Sequence, residues 1–235
     1  MSKKLDRPFT SAVILAAGSG SRMGMEKTKQ IMTICGKTVL LRAVEVFERA
    51  ACIDSIAVVC REEELEFVKR ELSVIAKLES IVIGGKTRAE SSRRGFMALS
   101  NKSGYVLIHD AARCLVTESD IEAVASAAYE YGCATASNSV VDTVKTVDGN
   151  IISGTLDRDS LRTVQTPQAF SCDIYSRAIE NAEKFNKTVT DDNMLAEALG
   201  EKIYAVSTSD ENIKITKPTD LGYAEYIIKR REENK

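Results

Sequence analysis

The sequence has little of what several familiar chemistries need. It carries one histidine, His109, and no tryptophan. A Ser-His-Asp relay or a histidine-rich metal site would have to be built around that single imidazole, which leaves such mechanisms little to work with. Six cysteines are present, Cys35, Cys52, Cys60, Cys114, Cys133 and Cys172, but no C-x-x-C pair, so a zinc knuckle is not indicated. Reduced thiols in a cytoplasmic protein are the reading that follows. Charge of one sign is also lacking. Thirty-two basic residues against thirty-four acidic ones leave a formal charge of -2. No global field is available to hold nucleic acid or an anionic membrane, so any anion site has to be local.

Long apolar runs are missing too. Nothing approaches the ~20 apolar residues that span a membrane. The N-terminal "MSKKLDRPFTSAVILAAGSG" places basic residues before an apolar stretch, as a secretory signal does. Its apolar part, "AVILAA", is short and runs straight into glycines, which indicates a buried first strand instead.

What is present, 44% hydrophobic and 28% charged residues, is the composition of an ordinary soluble globular chain. Short runs rich in Val and Ile recur at 12–17, 55–60, 80–85 and 105–110 and read as buried parallel strands. Helical periodicity fills the intervals 38–50, 62–76 and 88–100. A further helix starts at Thr117 and Asp120, spaced as an N-terminal cap. This alternation predicts an α/β fold with a single doubly wound, Rossmann-like, mostly parallel sheet. From Ala134 the rhythm changes to β-branched alternation with a "DG" turn at Asp148–Gly149, a hairpin that leaves the sheet and returns. Helical rhythm resumes at 176–185 and 191–199. Two strands, "KIYAVST" and "NIKIT", then precede a closing helix after Pro218. One domain spanning 1–235 with a protruding β-arm describes this order.

In open α/β sheets, ligands bind where loops converge at the carboxyl ends of strands. That rule selects "AAGSGSRMG" with "KTKQ" behind it, "GGKTRAES", "HDAAR" and "NIKIT". The first loop spaces Gly18, Gly20 and Gly24 one residue too far apart for the dinucleotide fingerprint, and no Walker sequence is present. Arg22 stands among these glycines, and Lys27 and Lys29 follow immediately. Bare backbone amides beside cations are equipment for polyphosphate. Asp110, ending the fourth strand, stands either as a Mg²⁺ ligand or as a turn cap.

Taken in order, "AVILAAGSGSRMG", Lys29–Gln30, Gly84–Gly85 with Arg88 and Ser91, "HDAAR" (109–113), "DTVK" (142–145), "LDR" (156–158), "TPQ" (166–168), "TDD" (190–192) and "NIKIT" (212–216) resemble the 2-C-methyl-D-erythritol 4-phosphate cytidylyltransferases over about residues 11–230. The resemblance implies a nucleotidyltransferase-like fold and transfer of CMP from CTP, with Mg²⁺, to a sugar-alcohol phosphate. It assigns catalysis to Arg22, Lys29, Arg158 and Lys214. Nucleotide binding falls to Ala16, Ala17, Gly18, Gly20, Gly85, Ser91 and Asp110, with Asp110 also holding the metal. Arg113, Thr143, Thr166 and Thr190 bind the acceptor, and an arm at about 136–159 clasps a second copy in a homodimer. The nucleophile of such a reaction is a phosphate monoester, already largely ionised at neutral pH because its second pKa is about 6. No general base is needed, in keeping with a chain of one histidine. The chain departs from the resembled pattern at Thr28 and Cys114, where prolines are usual, at Lys86 and at Asn193. A cytidylyltransferase for another polyol phosphate such as ribitol 5-phosphate is the alternative. A nicotinamide oxidoreductase is disfavoured, because the second strand ends in Cys60 and Arg61 rather than an acidic residue.

Overall fold

The computed structural model describes residues 7–18, 28–185 and 189–234, with side chains left out at Lys29 and at 183–185. Seven strands form the main sheet: β1 (Thr10–Leu15), β4 (Ser55–Cys60), β5 (Leu78–Ile83), β6 (Tyr105–Asp110), β7 (Cys133–Ser139), β10 (Arg162–Ser171) and β11 (Tyr204–Ser207). Their order is β11-β7-β10-β6-β1-β4-β5, and β10 alone in this sheet runs antiparallel to its neighbours. Two small hairpins stand apart, β2–β3 (Thr33–Ile34 and Lys37–Thr38) and β8–β9 (Lys145–Asp148 and Ile151–Thr155).

The apolar runs are continuous because both faces of the sheet are covered. In β1, Ala12 and Ile14 enter one core cluster while Val13 and Leu15 enter another. The first cluster lies under α1 (Val39–Arg49), α2 (Leu65–Glu71) and α4 (Glu118–Tyr131); the second lies under α3 (Arg88–Met97), α5 (Cys172–Phe185) and α6 (Asn193–Glu197). A third cluster, with Ile34, Val39, Cys114, Leu115 and Ile215, receives Ala224, Ile227 and Ile228 of α7 (Pro218–Glu233).

Helix starts follow their capping chemistry. Thr38 accepts from Leu41 N at 3.0 Å and Thr87 from Glu90 N at 3.1 Å. The Thr117–Asp120 pair closes a full capping box, each side chain taking the other's backbone N–H. The strand at 55–60 and the strand at 105–110 fall where the pattern puts them, and the α2 segment is shorter than its periodicity because Glu62–Glu64 winds as a 3-10 turn. The "DG" pair does turn a hairpin, with Gly149 at φ 57°.

"NIKIT" is a correction. Residues 212–216 join no sheet. Their alternation is real, since Ile215 is fully buried against α7, but the segment lies along the loop after β6, with Ile215 N–H donating to Ala112 O at 2.8 Å. A period of two reports alternate burial, which a loop sandwiched between two layers satisfies as well as a strand does.

Helix α3 approaches the sheet closely at Gly95, where a Cβ would stand 2.3 Å from Val13 Cγ1 and 2.7 Å from Val59 Cγ2. Gly222, on the exposed side of α7, has nothing within 4 Å. Alanine should therefore have opposite effects at the two positions. Gly95→Ala should cost about 1–3 kcal/mol by overpacking, whereas Gly222→Ala should add up to about 1 kcal/mol through helix propensity. Urea unfolding of both variants measures the contrast.

Candidate active site

The parallel strands end on one side of the sheet, and the loops that leave them meet there. After β1, Ala16 N–H bonds to Val59 O at 2.7 Å, and Gln30 Nε2 donates to Gly18 O at 3.0 Å, drawing the start of the glycine loop onto the turn that follows it. After β5, Gly84 lies so close to this loop that a Cβ on it would stand 2.4 Å from the Ala17 Cβ. Glycine is required there by approach alone. The Ser91 hydroxyl accepts from Gly85 N at 3.0 Å and donates to Thr87 O at 2.9 Å. Its single proton is thereby committed, and its role in the structure is to shape the Gly84–Gly85 turn.

Asp110, at the end of β6, is the centre of the site. Its Oδ1 accepts from Arg88 Nε at 3.1 Å and its Oδ2 from Lys214 Nζ at 2.5 Å. Burial by itself would raise this carboxyl. Arg88, then Lys214, outweigh that and hold it well below the usual carboxylate range. The Asp110 N–H donates to Thr166 Oγ1 at 3.0 Å, and Thr166 Oγ1 lies 3.1 Å from His109 Nδ1. Arg113 O can only accept, so His109 Nε2 carries the proton and donates to it at 3.2 Å, which leaves Nδ1 of the neutral ring to accept from the Thr166 hydroxyl. His109 is thus a neutral, fully buried brace for Asp110 and Thr166, and burial pushes it down to about 3.

Asn212 binds the last loop to this group. Its Nδ2 donates to Gln165 Oε1 and Thr166 O at 2.8 and 2.9 Å, while its backbone carbonyl accepts from Arg113 Nη1 at 2.8 Å. Asp110, Arg113, Thr166 and Lys214 are therefore gathered in one place, and Ala16, Ala17, Gly18, Gly85 and Ser91 line the adjoining loops. Thr190 is exposed, its N–H and hydroxyl 3.5 and 3.1 Å from Met194 Sδ.

Thr143 and Arg158 are elsewhere. Both are exposed beside the β8–β9 hairpin, where Arg158 Nη1 donates to Val141 O at 2.8 Å; among the described residues no hydrogen bond or ion pair joins them to the Asp110 group. Gly20 and Arg22 lie outside the described residues, as does the Lys29 side chain, whose backbone opens a 3-10 turn at Lys29–Ile31.

Sequence reasoning passed over two groups. Arg88 and Asp192 are paired at 2.6 Å beside Asp110. Their signal was present, since both lie in motifs, but neither spacing nor residue type tells an internal ion pair from a surface charge. Glu64 is the second omission: it is buried and takes the hydroxyl of Thr28, and burial raises its carboxyl. Thr28, which stands where proline was expected, is thus tethered through its side chain. Cys114, the other replaced proline, is buried in the α7 cluster, while Asn193 is buried at the start of α6 and Lys86 is exposed.

A mostly parallel α/β sheet with glycine turns, cations and ion-paired carboxylates converging at its strand ends has the equipment of a nucleotide-binding enzyme site. The sequence profile described as 2-C-methyl-D-erythritol 4-phosphate cytidylyltransferase matches residues 10–230. A protein of that name from Alkaliphilus oremlandii is 39% identical over 230 residues, covering 96% of this chain and 98% of its own length. One from Pelotomaculum thermopropionicum is 41% identical over 227 residues, covering 94% and 95%. The crystal structure of 4-diphosphocytidyl-2C-methyl-D-erythritol synthase from Anaerococcus prevotii superposes with a TM-score of 0.85 at 30% identity, covering 94% of this chain and 99% of that one. The chain belongs to the 2-C-methyl-D-erythritol 4-phosphate cytidylyltransferase family and is a nucleotidyltransferase.

Because His109 is the sole histidine, its titration is directly observable. Its imidazole carbon-bound protons should show no titration between about pH 8 and about pH 5 in NMR spectra of the tag-free protein. The unfolded chain protonates near 6.5 while the native imidazole waits until about 3. Stability should therefore fall as pH drops through that interval, because the unfolded state binds the extra proton. Asp110 acts with the same sign only below about 4, where an unfolded aspartate begins to protonate. The urea midpoint as a function of pH checks both.

Proposed function

We propose that the chain transfers the cytidylyl group of CTP to 2-C-methyl-D-erythritol 4-phosphate, releasing pyrophosphate and giving 4-diphosphocytidyl-2-C-methyl-D-erythritol for isoprenoid precursor synthesis. The observation that carries this reading is the Asp110 carboxylate held ionised between Arg88 and Lys214, in a chain matched to that family along nearly its whole length. The reaction forms a bond from an acceptor phosphate oxygen to the α-phosphorus and breaks the α–β bridging bond, whose electrons leave with pyrophosphate. The attacking oxygen is already anionic, so the protein's task is to hold two anions in line and to offset the charge that develops.

Lys214 suits the first task as a point charge beside Asp110, and Arg113 offers a second cation for the acceptor phosphate. Thr166, assigned to the acceptor by the family pattern, serves it by bracing this group, since its hydroxyl is engaged by the Asp110 amide and His109. Thr190 contributes a further hydroxyl. Arg22 and Lys29, carried over from the family pattern, act on the triphosphate and the departing pyrophosphate. Ala16, Ala17, Gly18 and Gly85 offer backbone groups to the base. Mg²⁺ would be held by Asp110, which stays ionised and whose two oxygens each give one acceptor position to Arg88 or Lys214 and keep another. When bound, that ion would neutralise charge on the triphosphate.

The arm belongs to the same reading. Val141, Val147, Ile151 and Ile152 are 61–81% exposed on or beside β8–β9, an apolar surface that a second copy would cover. In a homodimer joined through the arm at about 136–159, Thr143 and Arg158 act in the partner's site. We also assign the chain to the cytoplasm, in keeping with six free thiols, of which all but Cys35 are pushed up to about 11 by burial. Among the described residues no helix is long and apolar enough to cross a membrane.

Pyrophosphate release should occur with Mg²⁺, CTP and methylerythritol phosphate. Release with ribitol 5-phosphate alone would reassign the acceptor, and release with neither would reject the activity. Lys214→Ala should lower kcat/KM on the order of 10²- to 10³-fold. Mixing inactive Lys29→Ala with inactive Arg158→Ala and allowing subunit exchange should regain about a quarter of wild-type activity, since half of the dimers then contain one site built from two intact contributions. Verified exchange with no regain rules out the shared site.

A further inference from the structure

The ion pairs around Asp110 continue beyond it. Arg88, the first residue of α3, gives Nε to Asp110 Oδ1 at 3.1 Å and Nη1 to Asp192 Oδ2 at 2.6 Å. Asp192 is 1% exposed, and its other oxygen accepts from Ser92 Oγ at 2.7 Å and Tyr175 Oη at 2.6 Å. Its backbone N–H bonds to Gln168 Oε1 at 2.9 Å, and Gln168 Nε2 in turn reaches Asp191 Oδ2 at 3.1 Å. The turn that carries Thr190 is therefore anchored to α3 through the Arg88 guanidinium and the Ser92 hydroxyl, and the same guanidinium also holds the carboxylate at the end of β6. Lys214, Asp110, Arg88 and Asp192 form an alternating chain of two cations and two anions that runs from the last loop to the 190–192 turn.

Such a chain is a poor device for stability alone, since buried ion pairs commonly do no better than apolar packing of the same volume. It is a good device for fixing distances, because a planar fork serves two carboxylates in set directions. Burial works against the Arg88 charge, yet Asp192 and Asp110 outweigh it and keep it firmly protonated. Among the described residues, one donor atom, Nη2, is buried with no hydrogen-bond partner. A leftover buried donor costs about 1–3 kcal/mol, which a purely structural pairing would have no reason to retain beside a ligand site.

We propose that Arg88 is a positioning residue for the transfer, its guanidinium setting the separation between the Asp110 carboxylate on the nucleotide side and the 190–192 turn on the acceptor side. This rests on the cytidylyltransferase reading above for what the two sides bind. Lysine at this position keeps the charge but satisfies only one carboxylate at a time.

The test compares Arg88→Lys, Asp192→Asn and the double variant with wild type in four measurements: kcat and KM for each substrate, CTP affinity by calorimetry with Mg²⁺, thermal midpoint, and hydrogen exchange. Arg88→Lys should lower kcat on the order of 10- to 100-fold, the cost of misplacing one reactant by about 1 Å, with CTP affinity within about threefold of wild type. The double variant should fall no further than the poorer single variant, within about twofold, because both break one link. Amides at 190–195 should exchange faster in both single variants while those of β1 and β6 do not.

Three outcomes of the activity, binding and stability measurements would overturn the proposal: a lowered thermal midpoint with kcat intact, a loss of CTP affinity equal to the loss of rate, or additive losses in the double variant. If Arg88→Lys does not fold, Asp192→Asn carries the test against the same outcomes. If wild type turns over neither acceptor, the cytidylyltransferase reading fails, and unchanged exchange at 190–195 would separately overturn the link.

Discussion

A carboxylate at the end of a buried strand is useful to a polyphosphate site only while it is charged, and burial favours the neutral acid. In this chain the conflict is settled at Asp110 by Arg88 on one oxygen and Lys214 on the other. Much of the site is arranged around that pairing. Thr166 meets the Asp110 amide, His109 receives the Thr166 proton, and Arg113 and Asn212 close the ring of contacts from β6 to the 212–216 segment. The lone histidine is thereby spent on orientation. It never carries charge in the working range, and the chemistry has no use for a base.

The sheet supplies this arrangement. Parallel strands of similar length end together, so β1, β4, β5 and β6 deliver their loops to one side. Close approach depends on missing side-chain atoms, at the strand ends for Gly84 against Ala17 and on the face of the sheet for Gly95 of α3 against Val13. The antiparallel strand β10 is the exception that completes the site. It enters from the hairpin side, and an irregularity in its pairing with β7 between Val164 and Gln168 falls where Thr166 turns toward His109.

The departures from the family pattern illustrate how local chemistry is replaced. Thr28 lacks the fixed φ of proline but is tied to buried Glu64 by its hydroxyl, and Cys114 contributes apolar volume to the cluster under α7. A restraint on the backbone has been exchanged for a side-chain contact in one case and for packing in the other.

Much of the architecture was legible in the residues themselves. Short runs rich in Val and Ile at 55–60 and 105–110 read as buried strands, Thr117 and Asp120 announced a capped helix, and Asp148–Gly149 announced a turn. The ordered motifs identified the family, because nine short matches in sequence constrain one another where none suffices alone. Tertiary structure alone decided the pairings. That "NIKIT" is a loop, that Lys214 meets Asp110 across 104 positions, and that Arg88 reaches both Asp110 and Asp192 are facts of how distant loops pack. Periodicity and propensity report on near neighbours along the chain, whereas an ion pair between residues a hundred positions apart exists only once the sheet has brought their strand ends together.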